Sequence, residues 1–229
     1  MKITPEQLKI NLGAARLYLM TNAPFFGALL YGTEVNVNSD ESAPSCAWTD
    51  GNEIFFNIPH LNTLLTDTLE KDSSEKTSEA KAFECITFLT IHELMHCMFT
   101  HLSRRGKRDP LLWNYATDIS INNLIRSWFP KLVVPEGILM GDELGIYTRM
   151  HKTESSEIIY DKLLKDVKSI SLGSNGKGKV EYDTKDGIAS KEFIADLQGE
   201  TPSNSEELKD KWRNKIEHAK NTCGDNITP

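Results

Sequence analysis

Two histidines and a glutamate stand close together near the middle of the chain, in the pentapeptide His92-Glu93-Leu94-Met95-His96. If this stretch is helical, the histidines share one face, with about 5–6 Å between their Cβ atoms. Two imidazoles at that spacing can ligate one metal ion, and the pattern is typical of zinc. Glu93 lies beside the pair and could deprotonate a metal-bound water without ligating the metal. This is the general-base position of a zinc hydrolase.

A catalytic zinc ion usually takes three protein ligands and leaves the fourth position for water, so the histidine pair needs a partner. Asp118 is the favoured candidate, because Asn114, Asp118 and Asn122 form a polar stripe at four-residue spacing in a largely apolar segment. A carboxylate on an inward-facing stripe needs a partner, which a metal ion supplies. Asp118 could instead orient a ligating histidine or pair at the surface. Asn114 and Asn122 are interpreted as structural hydrogen-bonding residues.

His101, five residues after His96, is the alternative third ligand. On a continuous helix this spacing turns its side chain about 140° away from the ligand face. His101 could reach the metal only if the helix broke after His96, and the sequence between them contains no residue expected to break it. Otherwise His101 is a hydrogen-bonding residue around the ligands, or an ordinary histidine at a helix end. Cys97 points about 100° away from His96, which favours packing over ligation.

Two predicted helices must position these residues. Apolar side chains nearly encircle the segment from about Ser78 to Arg105, which predicts a long, central and buried helix carrying both histidines. Asp109 followed by Pro110 predicts the start of the helix that carries Asp118, and Pro130 ends it.

The N-terminal part predicts further helices and a few short strands. Thr4, Pro5 and Gln7 form a helix-start signal, and this helix should end near Asn22. Alternation predicts a strand over 33–38, the turn at 50–52 predicts a hairpin between β-prone runs, and 59–71 is predicted to be helical. The predicted fold class is therefore α+β: mainly helical, with a small antiparallel sheet or hairpin packed on the central helix that carries the histidines.

The chain divides, by composition, into a domain over residues 1–165 and a polar region over 166–229. The second region is rich in Gly, Ser and Lys and is predicted to be a linker or insert, followed by a charged helix over about 206–221 with few apolar anchors. The sequence stops without a closing element. We therefore expect a longer protein with a further C-terminal domain.

Composition excludes several classes of protein. The 229 residues carry a net charge of −7, which disfavours nucleic-acid binding through the overall field. The basic run at 104–108 is better explained as cations at a helix C-terminus. The four cysteines have no Cys-x-x-Cys spacing, which argues against a thiolate zinc site and a disulfide framework. With neither a membrane-spanning run nor a secretory signal, the chain is expected to be cytoplasmic and away from membranes.

The histidine motif and the Asp118 segment together resemble a known family. The residues that carry this resemblance are His92-Glu93-x-x-His96-x4-His101, Arg104-Arg105-Gly106, Arg108-Asp109-Pro110 and Trp113-Asn114-x-Ala116-x-Asp118-x-x-Ile121-Asn122. They are similar to the putative metallopeptidase domain found ahead of a von Willebrand factor A-like domain in bacterial and phage proteins. The resemblance covers roughly residues 5 to 165, and the C-terminal region departs from it.

This resemblance implies a zincin-like fold, a zinc site and a peptide or protein substrate. It also implies a von Willebrand factor A-like domain or partner after Pro229. In a zincin mechanism, Glu93 would deprotonate the zinc-bound water and later protonate the leaving amine. The strand over 53–58 could present an edge to an extended peptide. Tyr115, Tyr147, His151 and Tyr160 are candidate donors to the transition state.

Two functions from different classes follow from these observations. The first is a zinc-dependent hydrolase, most simply a metallopeptidase in which Glu93 activates the water. The alternative is a catalytically inactive interaction or regulatory module that retains the zincin fold. The presence of Glu93 favours the enzyme, because a purely structural site needs ligands but no base.

Overall fold

The computed structural model describes residues 2–40, 43, 45–139, 154–172, 177–184, 187–194 and 204–224. Within these ranges the chain is α+β and mainly helical, as predicted. The helices are α1 Pro5–Asn22, α2 Pro24–Tyr31, α3 Ile58–Lys71, α4 Ser78–Met98, α5 His101–Arg104, α6 Pro110–Trp128, α7 Ser156–Asp166 and α8 Ser205–Cys223. The strands are β1 Val35–Asn38, β2 Ala47–Thr49, β3 Ile54–Asn57, β4 Val167–Leu172, β5 Lys177–Thr184 and β6 Gly187–Ile194.

Helix α1 begins where its capping residues predict. The Thr4 side chain accepts a hydrogen bond from the Gln7 backbone, and the Gln7 side chain accepts one from the Thr4 backbone. This capping box satisfies two N–H groups that the first helical turn leaves without partners. The side chains buried by α1 are those at helical spacing: Leu8, Leu12, Ala15 and Leu19.

The hairpin prediction is confirmed, but the first sheet is mixed rather than purely antiparallel. Strands β2 and β3 pair antiparallel, with Trp48 opposite Phe55, whereas β1 pairs with β3 in parallel. The strand order is β1-β3-β2. The prediction that the strand over 53–58 presents an edge was therefore wrong, because β3 is hydrogen-bonded on both sides. Alternation in a sequence reports which face of a strand is buried, but not which strand lies beside it.

The helix that carries the histidines ends earlier than predicted. Helix α4 stops at Met98, Thr100 adopts the left-handed conformation with φ 52° and ψ 42°, and the short helix α5 starts at His101. The prediction of one continuous helix to Arg105 was therefore wrong. A left-handed non-glycine residue costs roughly 1–2 kcal/mol, so local preference does not favour this break. Tertiary contacts of the next residue hold it, including the 2.9 Å hydrogen bond from Trp113 Nε1 to the His101 carbonyl.

Helix α6 begins and ends at its predicted boundaries. Asp109 caps it by accepting a hydrogen bond from the Leu112 amide, Pro110 is its first residue, and it ends at Trp128, two residues before Pro130. Helix α6 packs against α4, which precedes it in the chain, and against α7, which follows it. These contacts bring the two motif segments of the sequence together.

Most of α4 is buried, and it contacts α1, α2, α3, α6, β2 and β3. The main hydrophobic core includes side chains from all of these elements. Helix α8 also contributes to that core through Trp212, whose indole is fully buried and donates a 2.7 Å hydrogen bond to the Gly51 carbonyl in the hairpin turn. A second cluster joins α6 and α7 to the sheet β4-β5-β6. None of the helices in the described ranges is both long enough and apolar enough to cross a membrane.

Candidate metal centre

The two motif histidines turn the same ring atom toward each other. His92 and His96 are both about 1 % exposed, and their Nε2 atoms lie 2.9 Å apart. The four-residue spacing explains this arrangement, because one helical turn separates the two Cα atoms along α4. The side chains therefore present two ring nitrogens to one buried point.

Asp118 approaches the same point from helix α6. Its Oδ1 atom lies 3.3 Å from His96 Nε2 and 3.9 Å from His92 Nε2. Ligand atoms around a tetrahedral zinc ion, at bond lengths near 2.0–2.1 Å, are separated by about 3.3 Å. The observed separations of 2.9 to 3.9 Å are close to that requirement. Within the described ranges, His92, His96 and Asp118 form a cluster that could hold a metal ion, and the donor set fits zinc.

Asn122 orients His92. The Asn122 Oδ1 atom lies 2.7 Å from His92 Nδ1, and the Asn122 amide nitrogen donates a 3.0 Å hydrogen bond to the Leu139 carbonyl. Because the amide nitrogen is used as the donor to Leu139, the oxygen accepts from His92 Nδ1–H. In this tautomer the lone pair of His92 Nε2 is directed into the cluster, which is the arrangement that metal ligation requires.

Asn114 holds the third member of the cluster. Its amide nitrogen donates a 2.7 Å hydrogen bond to Asp118 Oδ1. Asn114 is about 1 % exposed and Asp118 about 3 %. The three polar residues of the α6 stripe thus face the site together, and both asparagines are hydrogen-bonding residues, as predicted.

His101 lies beyond His96 and outside the ligand cluster. Its Nδ1 atom is 3.1 Å from His96 Nδ1, on the ring edge opposite the side that faces His92. Its Nε2 atom is 3.3 Å from Ser156 Oγ, at the start of α7. Burial lowers the pKa of His101 well below the usual value of 6.5, so the ring is neutral near pH 7. Sequence reasoning missed Ser156, because only the packing of α7 brings it to this position.

Glu93 is buried on α4 between the two histidines, with about 1 % of its surface exposed. A carboxylate rarely occupies such a position without a strong electrostatic reason. A positive ion bound by the adjacent histidines would provide one. The role of Glu93 as a general base stays a prediction.

Cys97 packs against the sheet and does not join the cluster. Its Sγ atom lies 2.9 Å from Thr49 Oγ1 on β2. Complete burial raises the pKa of Cys97 to about 12, so it stays a thiol rather than the thiolate that ligates zinc. The predicted packing role is confirmed.

The basic run after α5 has structural contacts. Arg104 binds both carboxylate oxygens of Glu157 on α7, at 2.6 and 2.7 Å. Arg108 donates to the carbonyls of Arg104 and Arg105 at the end of α5, and its guanidinium lies 4.9 Å from the Trp113 ring centre. These contacts agree with the interpretation as cations at a helix C-terminus.

Two of the four candidate transition-state donors, Tyr115 and Tyr160, lie within the described residues. The Tyr160 hydroxyl accepts a 3.0 Å hydrogen bond from the Asp109 amide, so it connects α7 to the start of α6. Tyr115 is buried on α6, about 1 % exposed. Tyr147 and His151 lie outside the described residues.

One polar cavity of about 760 Å³ lies between the hairpin turn and the first half of α8. Its walls include Asp50, Asn52, Glu207 and Asp210. None of the residues that line it belongs to the metal cluster. It therefore supplies no substrate pocket for chemistry at the histidines.

Comparison with known protein families identifies one family that matches most of this chain. Residues 79–224 match a family described as "Putative metallopeptidase domain", and the match covers more than half of the chain. The chain belongs to this family. The match contains the histidine motif, Asp118 and helix α8, so it extends through most of the polar C-terminal region. No curated protein and no solved structure matches the chain.

Proposed function

We propose that this protein is a zinc-dependent hydrolase, most specifically a metallopeptidase with a zincin-like fold. The observation that carries this proposal is the convergence of His92 Nε2, His96 Nε2 and Asp118 Oδ1 within 3.9 Å of one another in a member of this family. Two imidazoles and one carboxylate are the ligand set of many zinc peptidases. A peptide or protein is the substrate class that the family description supports.

The ligand side chains each have a partner that limits their movement. Asn122 holds His92, Asn114 holds Asp118, and His101 contacts His96. When bound, zinc would polarise the scissile carbonyl and lower the pKa of a coordinated water. Asn122, Asn114 and His101 would then keep the three ligand side chains in fixed orientations.

Glu93 is the proposed base. It would take the proton of the attacking water and later deliver it to the leaving amine, so that one carboxylate serves both steps. Its burial removes competing solvent and strengthens its electrostatic interactions. The inactive-module alternative requires the three ligands but no general base, so the presence of Glu93 beside them favours the enzyme.

Metal content is the first test. The purified full chain is expected to contain close to one zinc per molecule by elemental mass spectrometry, and His92→Ala and His96→Ala should each lose it. His60→Ala is a matched control, since His60 lies on α3 and is not in the cluster. Two histidines with one carboxylate can also bind iron(II). Stoichiometric iron, or no metal at all, would contradict the zinc proposal.

Turnover is the second test. Wild-type protein loaded with zinc should cleave members of a mixed peptide library, with products identified by mass spectrometry. Glu93→Gln should retain zinc and lose roughly 10²- to 10⁴-fold in rate, the usual contribution of a general base. If both proteins bind zinc and neither cleaves any peptide or protein offered, the inactive interaction module becomes the better explanation.

A further inference from the structure

His101 reaches the site because the backbone turns sharply just before it. Thr100 is the only non-glycine residue with positive φ among the described residues. Strained backbone of this kind persists where surrounding contacts determine it, and it is often found near functional sites. Here the turn directs the His101 ring toward His96 rather than away from it, with 5.0 Å between the two ring centres.

The contact joins two ring nitrogens of the same type, so one must donate and the other must accept. If His96 binds a metal through Nε2, its neutral ring carries its proton on Nδ1. His101 Nδ1, 3.1 Å away, can accept that proton in a hydrogen bond. The acceptor ring must then carry its own proton on Nε2, where Ser156 Oγ lies 3.3 Å away and can accept it.

We propose that His101 is a positioning residue: it accepts the Nδ1–H hydrogen bond of His96, and Ser156 holds it in the tautomer that this requires. The inference rests on the metal-binding role proposed for His96. His101 then has the same role toward His96 that Asn122 has toward His92. Helix α7 takes part in the site through Ser156, although none of the three proposed ligands lies on it.

The parallel with Asn122 suggests the informative substitutions. In His101→Asn, the amide oxygen can occupy the position of the imidazole Nδ1 atom and still accept the hydrogen bond. His101→Leu has no acceptor but fills the buried space more completely. A packing role therefore predicts that Leu is tolerated better than Asn, whereas a hydrogen-bonding role predicts the reverse.

The experiment measures the zinc dissociation constant of the full chain by competition with a chromogenic chelator. His101→Leu is expected to weaken zinc binding roughly 10- to 100-fold, as loss of a ligand's hydrogen-bond partner does. His101→Asn should stay close to wild type. Ser156→Ala should have a smaller effect, about two- to tenfold, and it remains informative if His101→Leu does not fold.

Ring ¹H–¹⁵N NMR of the zinc-loaded protein gives a second measurement that is independent of activity. The His96 Nδ1–H proton should exchange slowly with water in wild type and in His101→Asn, and rapidly in His101→Leu. Equal zinc affinity in wild type, His101→Leu and Ser156→Ala would overturn the inference. So would equally weak binding in the Leu and Asn variants, which would indicate packing or direct ligation. If wild-type protein binds no zinc, the proposed function itself fails.

Discussion

The His96 Nε2 atom lies 3.3 Å from Asp118 Oδ1, so a residue on α4 and a residue on α6 meet inside the protein. The two residues belong to separate sequence motifs, with the break at Thr100 and a capped helix start between them. Their contact connects the two motifs into one candidate metal site.

Replacing Asp118 should remove one of the three proposed ligands. Asp118→Asn preserves the shape of the side chain but removes its negative charge, and Asp118→Ala removes both oxygens. We expect either variant to weaken zinc binding by more than about 100-fold, a larger loss than removing a hydrogen-bond partner causes. Chelator competition measures the effect. Asp161→Asn, at an exposed position on α7, is the matched control; wild-type affinity in Asp118→Asn would exclude Asp118 as a ligand.

Asn122 should control the affinity of the site through His92. Asn122→Leu removes the acceptor for His92 Nδ1–H, and we expect zinc affinity to fall roughly 10- to 100-fold. Asn122→Asp keeps an oxygen acceptor, so it should bind zinc more tightly than Asn122→Leu does. Asn123→Leu, one residue further along α6, controls for changes in helix stability. The interpretation fails if the Asp and Leu variants lose affinity equally.

Thr100 should be a position where glycine is preferred to alanine. Glycine adopts positive φ without steric cost, whereas alanine keeps the Cβ atom that disfavours it. The free energy of unfolding of Thr100→Gly should therefore exceed that of Thr100→Ala by about 1 kcal/mol, measured by urea denaturation. At Thr66, inside helix α3, the order should reverse by a similar amount. If Thr100→Ala proved at least as stable as Thr100→Gly, Thr100 would carry no backbone strain.

The Arg104–Glu157 ion pair should make stability depend on pH. Partial burial raises the pKa of Glu157, but the opposite effects, led by the hydrogen bonds from Arg104, are larger together. The net result is a pKa below the ordinary 4.5. The unfolded chain therefore binds this proton more tightly, and the stabilisation is present above pH 4.5 and lost as pH falls below it. We expect Glu157→Gln to lower the free energy of unfolding by about 1 kcal/mol at pH 7, discounted for partial exposure.

The measurement for this pair is urea denaturation of wild type and Glu157→Gln at several pH values. The difference between them should shrink as the pH falls below 4.5 and Glu157 becomes protonated in the native state as well. Glu217→Gln, at an exposed position on α8, should show no comparable difference at any pH. A difference that stays constant with pH would mean that the substitution acts through packing rather than charge.

Much of the local structure could be predicted from short-range patterns. The capping residues Thr4 and Asp109 marked two helix starts correctly, because a cap involves residues within one helical turn. The turn at 50–52 marked the hairpin for the same reason. The direction of β1 and the break before His101 could not be predicted, since each depends on residues distant in the chain. Burial of Trp212 in the main core is a further effect of this kind.

The sequence by itself determined that His92 and His96 share a helix face with Glu93 between them, since helix geometry alone sets that relationship. It also determined that Asn114, Asp118 and Asn122 form one stripe. Only the tertiary structure decided that this stripe faces the histidines, and that His101 contacts His96 through its Nδ1 atom. The physical reason is that these contacts depend on how whole helices pack, and packing is a property of the complete core.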